Sequence, residues 1–143
     1  MNTEKKERQV MNTAEKLFNL ARQAREHAYA PYSSFRVGAA ILSENNNCYS
    51  GCNVENVSYP CGTCAEAGAI AAMINGGDSL IAEILIIADS ADIITPCGAC
   101  LQRIKEFSRP ETKIRLANLN GIAATYTVRE MLPHAFNAEE LKK

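Results

Sequence analysis

Four residues in two short segments of this chain could together catalyse a metal-assisted hydrolysis. Cys64 and Glu66 lie in the first segment, and Cys97 and Cys100 lie in the second, which has the pattern P-C-x-x-C. Thiolates are strong zinc ligands, and a catalytic zinc site uses three protein ligands and keeps the next position for water. The spacing therefore predicts a zinc ion held by Cys64, Cys97 and Cys100, with Glu66 as the group that moves protons beside it.

A different interpretation of the same cysteines is a closed structural zinc site. Cys61 and Cys64 form a second C-x-x-C pair, so Cys61, Cys64, Cys97 and Cys100 could supply all four ligands. We favour the open site because the gap between the pairs exceeds the roughly 15–20 residues of common four-cysteine ribbons. Cys64 and Cys97 are also expected to begin helices, and Glu66 has no role in a closed site. A redox C-x-x-C is less favoured, since no thioredoxin-like βαβ pattern precedes either pair.

The chemistry expected of an open site is attack of water on an amidine-like ring carbon. Zinc lowers the pKa of bound water from 15.7 towards about 7, which supplies hydroxide at neutral pH. Glu66 would take a proton from the water and deliver it to the neighbouring ring nitrogen and then to the departing amine. A metal ligand, then Glu, then P-C-x-x-C is the signature of the zinc deaminases that act on nucleobases.

The length of the chain predicts a single domain over residues 1–143. Hydrophobic patterns predict that it is of the α/β class, with the order αββαβαββα. Residues 1–11 are polar and expected to be loose, and a helix is predicted over 11–28. Further helices are predicted over the Ala-rich segment 64–75, which we expect to be buried on most sides, and over 97–107 and 128–132. Strands are predicted over 35–42, 48–52, 82–88, 113–119 and 122–127.

Composition limits the kinds of partner. The chain has 15 basic and 16 acidic residues and a net charge of −1, with no basic stripe, so we expect no nucleic-acid partner. Its apolar runs are too short to span a bilayer and its N-terminus lacks an apolar signal region, so we expect no membrane partner and a cytoplasmic location. In that compartment the six cysteines are expected to be metal ligands or free thiols rather than disulfides.

At these motifs the chain resembles the cytidine deaminases, specifically the small homotetrameric kind with three cysteine ligands. The likeness runs from about Met11 to Phe136. Besides the zinc segments it includes Tyr32-Ser33-Ser34-Phe35, Val37-Gly38-Ala39-Ala40, Asn53-Val54-Glu55-Asn56, Ser58-Tyr59 and Thr127-Val128-Arg129-Glu130-Met131-Leu132-Pro133. The resemblance implies a three-layer α/β/α fold with a mixed five-stranded sheet and one Zn²⁺ per subunit. It implies conversion of cytidine and 2′-deoxycytidine to uridine and 2′-deoxyuridine with release of ammonia.

The resemblance also implies roles for residues that bind the nucleoside. Phe35 matches the aromatic residue that packs on the pyrimidine, and Asn53 and Glu55 match the pair that hydrogen-bonds the ribose 3′-hydroxyl. The backbone of Ala65, together with Glu66, would read the pyrimidine edge. Each of these residues taken alone has a more ordinary interpretation as a core, turn or surface residue.

Two further residues are implied to serve a neighbouring subunit. Tyr59 and Phe136 match residues offered to the partner's pocket, so that active sites are shared in a homotetramer. Two positions depart from the family pattern, because an arginine commonly follows the catalytic glutamate and the last cysteine, where this chain has Ala67 and Leu101. Arg103, one turn beyond Cys100, could supply positive charge if its side chain turned back. Because of these departures, a modified pyrimidine or antibiotic nucleoside remains an alternative substrate. If the four cysteines instead form a closed structural zinc site, the alternative is a non-catalytic binding domain.

Overall fold

The computed structural model describes the backbone of residues 3–141 and the side chains of residues 13–141. Its helices are α1 (Thr3–Glu26), α2 (Ala65–Asn75), α3 (Gly98–Glu106) and α4 (Val128–Met131), with short 3₁₀ turns at Tyr59–Cys61 and Ala138–Glu140. Its strands are β1 (Val37–Ser43), β2 (Cys48–Cys52), β3 (Ile81–Ala88), β4 (Ser108–Asn118) and β5 (Gly121–Thr127). The order of helices and strands is the predicted one.

The first helix begins earlier than predicted. We expected a loose segment up to residue 11, whereas α1 already begins at Thr3, and Met1 and Asn2 lie outside the described residues. The physical reason is that residues 3–26 contain neither glycine nor proline, the two residues that most strongly disfavour a helix interior.

The strands form one mixed sheet with the order β2-β1-β3-β4-β5. β3 and β4 are parallel, and the other neighbouring pairs are antiparallel. β4 begins before the predicted segment and contains Pro110. The register shifts between the pairs Ile81–Ser108 and Glu83–Lys113, so Pro110 lies in the irregular stretch where no ladder hydrogen bond is required of it.

Helices cover both faces of the sheet, which confirms the three-layer arrangement. Ile84 and Ile86 of β3 lie in a buried cluster with residues of α2, α3 and α4. Leu85 and Ile87 face the opposite way and pack against Leu17 of α1. β3 is therefore covered on both sides, as its continuous apolar sequence predicts.

Helix α2 is less completely buried than predicted, and it lies very close to the sheet. Ala71 and Ile74 are exposed, because they face outwards from this layer and no other described residues cover them. On the inner side, a Cβ atom built on Gly51 of β2 would overlap the backbone of Ala69. Only glycine permits this approach, which fixes the distance between the sheet and the helix that follows Cys64.

Asp78 anchors the turn between β1 and β2 to the loop that follows α2. The residue is only 6% exposed. It accepts hydrogen bonds from Asn45 Nδ2 (2.7 Å), Tyr49 Oη (2.6 Å), Asn47 Nδ2 (3.0 Å) and Ser43 Oγ (2.8 Å). These four donors, Asn45 foremost, hold the pKa of Asp78 well below its usual range.

We expect Asp78→Asn to lower the free energy of unfolding at neutral pH, because the carboxylate is replaced by an amide whose NH₂ group faces donors. A carboxyl whose folded-state pKa lies below its unfolded value near 3.9 stabilises the fold fully above that value. Its contribution is lost as the pH falls towards the folded-state pKa. The difference in the free energy of unfolding between wild type and variant should therefore become smaller below about pH 4.

Urea unfolding at a series of pH values measures this effect. Replacement of the exposed Asp89 by Asn is the matched control and should leave stability almost unchanged at neutral pH. If the loss of unfolding free energy in Asp78→Asn stayed the same from neutral to strongly acidic pH, the charge of Asp78 would not be the source of the stabilisation.

Candidate active site

Cys64 and Cys97 each occupy the N-cap position of a helix, as predicted. Cys64 precedes α2 with φ −79° and ψ 158°, and Cys97 precedes α3 with φ −68° and ψ 167°. Helix N-termini carry partial positive charge, which stabilises a thiolate and favours its binding to a metal.

The predicted ligands and the predicted acid–base residue meet between these two helix starts. The thiol of Cys100, fully buried in the first turn of α3, interacts with the Cys64 thiol and the Glu66 carboxylate. The thiol of Cys97 interacts with Cys100 and with the charge of Glu66. Glu66 is itself only 5% exposed and lines the same cavity as the three thiols.

The environments of Cys97 and Cys100 shift their pKa values in opposite directions. The backbone N–H of Cys100, helped by that of Ala99, lowers the pKa of Cys97. Burial is the main reason that the pKa of Cys100 is raised, and the negative charge of Glu66 adds to it. Without a cation between them, these groups therefore disfavour the buried thiolate.

The donor set fits a zinc ion in its chemistry. Among the described side chains, no three His, Cys, Asp or Glu residues already stand in metal-binding geometry. Three thiols nevertheless border one cavity beside one carboxylate, and sulfur is a preferred ligand of zinc. Three protein ligands also leave a coordination position for water.

Cys61 does not join this group of thiols. It is exposed, its Sγ lies 3.5 Å from Ser58 Oγ, and it does not line the cavity. This placement disfavours the four-cysteine structural site. All six cysteines of the chain are free.

A cavity of about 570 Å³ opens beside the thiols and Glu66. This volume suits a small organic ligand. Most of the residues predicted to bind the nucleoside line it, namely Phe35, Asn53, Glu55, Tyr59, Ala65 and Glu66. Other lining residues were not singled out from the sequence, among them Ile86, Ile94 and Thr95. They are ordinary apolar or polar residues whose types carry no signal of a site.

Asn53 holds the segment that presents Phe35. Its Oδ1 accepts a hydrogen bond from Val37 N (2.9 Å), and its Nδ2 donates to Phe35 O (2.8 Å). One amide hydrogen and one oxygen lone pair of Asn53 remain for another partner. The residue predicted to contact ribose therefore also fixes the aromatic residue predicted to contact the base.

Glu55 also lines this cavity, where it is ionised and firmly positioned. Its Oε1 accepts from the backbone N–H groups of Tyr32 (2.9 Å) and Ser33 (3.1 Å), and its Oε2 accepts from the Ser33 hydroxyl. The Ser33 hydroxyl foremost, and then the two N–H groups, hold the pKa of Glu55 below its usual range. An ionised carboxylate can only accept hydrogen bonds, which suits a hydroxyl group of a ligand.

The two residues predicted to serve a neighbouring subunit have different positions. Tyr59 is 78% exposed, lines the mouth of this chain's own cavity and makes an edge contact with the ring of Tyr32. Phe136 is 57% exposed and does not line that cavity, and its carbonyl accepts a hydrogen bond from Gln102 Nε2 (2.8 Å). Among the predicted site residues, Phe136 is thus the one that does not line the cavity formed by this chain.

Comparison with known proteins decides the family. A family described as "Cytidine and deoxycytidylate deaminase zinc-binding region" matches residues 11–115, which include all three candidate ligands and Glu66. The chain belongs to this deaminase family. The description of the family supports a zinc ion as the cofactor.

Named relatives and solved structures agree with this family over most of their length. Cytidine deaminase of Sporosarcina psychrophila is 42% identical over 127 residues, which cover 89% of this chain and 93% of the relative. Cytidine deaminase of Halalkalibacterium halodurans is 42% identical over 125 residues, covering 87% and 95%. The crystal structure of cytidine deaminase from Burkholderia pseudomallei aligns with a TM-score of 0.81 and 38% identity, covering 85% of this chain and 98% of that one.

No helix within the described residues of this deaminase is both long enough and apolar enough to cross a membrane.

Proposed function

We propose that this protein hydrolyses cytidine and 2′-deoxycytidine to uridine and 2′-deoxyuridine with release of ammonia, using one zinc ion per chain. The observation that carries the proposal is the meeting of Cys64, Cys97 and Cys100 with the buried carboxylate of Glu66 in the lining of a single cavity. Glu55 lines the same cavity, and its ionised carboxylate suits a sugar hydroxyl. Family membership and the named cytidine deaminases support the same reaction.

Cys64, Cys97 and Cys100 hold the metal, and Glu66 moves the protons. When bound, zinc supplies a nucleophile at neutral pH by lowering the pKa of water from 15.7 towards about 7. Glu66 accepts one proton from the attacking water and delivers it to the ring nitrogen beside the attacked carbon. It then carries the second proton to the departing amino group, so that water is consumed and ammonia leaves. The burial of Glu66 keeps these protons from exchanging with bulk solvent.

The rest of the cavity orients the nucleoside. Phe35, held through its carbonyl by Asn53, provides a face for the pyrimidine. The carboxylate of Glu55 accepts a hydrogen bond from a ribose hydroxyl, and Asn53 uses its remaining amide hydrogen for the same sugar. The backbone at Ala65, in the first turn of α2, contacts the edge of the base next to Glu66.

An assay with cytidine, 2′-deoxycytidine and a panel of modified cytidine nucleosides tests the reaction through ammonia release. We expect ammonia from the two natural nucleosides, loss of activity after treatment with a strong chelator, and recovery on addition of zinc. If ammonia were released only from a modified nucleoside, that nucleoside would be the substrate in place of cytidine and 2′-deoxycytidine. Full activity of protein from which all metal has been removed would contradict the zinc mechanism.

The assembly and location of the enzyme are part of the proposal. We infer a cytoplasmic homotetramer in which Phe136 of one subunit contacts the cavity of another. The exposed side chains of Phe136, Tyr59 and Ile74 support this inference, because contact with another chain would bury large apolar side chains. Light scattering in solution is expected to give the mass of four chains, and a stable active monomer would contradict the inference.

A further inference from the structure

Arg103 directs its positive charge at one of the candidate zinc ligands. It lies three positions after Cys100 in helix α3, and its Nη1 lies 3.5 Å from Cys100 Sγ. Residues three apart on a helix are neighbours on its surface, so this contact requires no distortion of the backbone. A donor–sulfur distance of this size is usual for a hydrogen bond to the large sulfur atom.

The proposed site carries an excess of negative charge, which this contact would offset. Zn²⁺ with three thiolates carries a net charge of −1, and the carboxylate of Glu66 adds another negative charge nearby. The residues that directly follow Glu66 and Cys100 are Ala67 and Leu101, whose side chains have neither a charge nor a donor. Positive charge must therefore come from elsewhere, and the guanidinium of Arg103 supplies it at Cys100.

We propose that Arg103 is a positioning residue of the metal site, whose guanidinium hydrogen-bonds the Cys100 thiolate and offsets the negative charge of the three-sulfur zinc centre. The inference rests on the proposed zinc site. Arg103 acts through Cys100 and is not among the described residues that line the substrate cavity. Partners of metal ligands typically change metal affinity by roughly 10–100-fold when they are removed.

The experiment compares the intact protein with Arg103→Gln, Arg103→Lys and Lys105→Gln. Lys105 is the matched control, because it is the other basic residue in the last turn of α3 and its removal changes the charge of the same helix. Zinc affinity is measured by competition with a chelator of known affinity. The metal is then replaced by cobalt(II), and the energy of the sulfur-to-cobalt charge-transfer absorption is recorded.

We expect Arg103→Gln to weaken zinc binding roughly tenfold or more and to move the charge-transfer band to longer wavelength. The physical reason for the shift is that a hydrogen bond lowers the energy of the sulfur lone pair, so its loss makes electron transfer to the metal easier. Arg103→Lys keeps a positive donor and should restore most of both properties, whereas Lys105→Gln should match the wild type.

Two results would overturn the inference. The first is an Arg103→Gln protein with the zinc affinity and charge-transfer band of the wild type. The second is an equal loss in Arg103→Lys and Arg103→Gln, which would indicate a role of side-chain shape instead of charge. Zinc binding by the wild type is measured in the same series, so failure of the zinc site itself is distinguished from failure of the role of Arg103.

Discussion

Glu66→Gln should reduce kcat for cytidine by about 10²–10⁴-fold or more and leave the zinc content unchanged. Glutamine has nearly the shape of glutamate but cannot accept a proton at neutral pH, so both proton transfers lose their carrier. Glu66 lies beside Cys97 and Cys100 and is only 5% exposed, which strengthens this expectation because it limits the access of solvent water that could replace the carboxylate. The sulfur ligands are untouched by the substitution.

Steady-state kinetics and metal analysis on the same preparation check this prediction. Glu106→Gln, an exposed position near the end of α3, is the control for loss of a carboxylate and should retain wild-type kinetics. Turnover by Glu66→Gln close to that of the wild type would refute the role of Glu66 as proton carrier. Loss of zinc from the variant would instead assign Glu66 to metal binding.

Cys100→Ser is expected to abolish both zinc retention and deamination. The position is fully buried at the centre of the thiol group, and a serine hydroxyl binds zinc far more weakly than a thiolate. Cys61→Ser should keep its zinc and its activity, because the Cys61 thiol is exposed and directed at Ser58.

Zinc per chain after dialysis against a weak chelator separates the open site from the closed one. Circular dichroism of both variants establishes that they are folded. Equal loss of zinc from Cys61→Ser and Cys100→Ser would identify a four-cysteine centre, and the proposed catalytic site would then be wrong.

Most of the sheet can be predicted because its strands carry strong local patterns. The apolar run 82–88 predicts a strand covered on both faces, and β3 lies at the centre of the sheet with helices on both sides. The start of β4 cannot be predicted in this way. It depends on a register shift that accommodates Pro110, and such a shift is set by the neighbouring strand.

Local sequence signals predict more of the metal site than of the nucleoside site. Cys64 and Cys97 are followed by helical sequence, so their N-cap positions follow from local signals. The contacts of Glu55 with Ser33 join segments that are distant in sequence, and they depend on tertiary packing. The direction of Arg103 depends on one choice of side-chain rotamer, which helical spacing permits but does not determine.

The candidate ligands also lie at the starts of two helices that the whole of β3 separates along the chain. A metal ion bound at both places joins segments that the unfolded chain keeps apart, and its binding free energy adds to that of folding. When zinc is scarce, the protein would therefore be less stable as well as inactive. Proteases, which degrade unfolded chains, would then set how many copies survive until the metal returns.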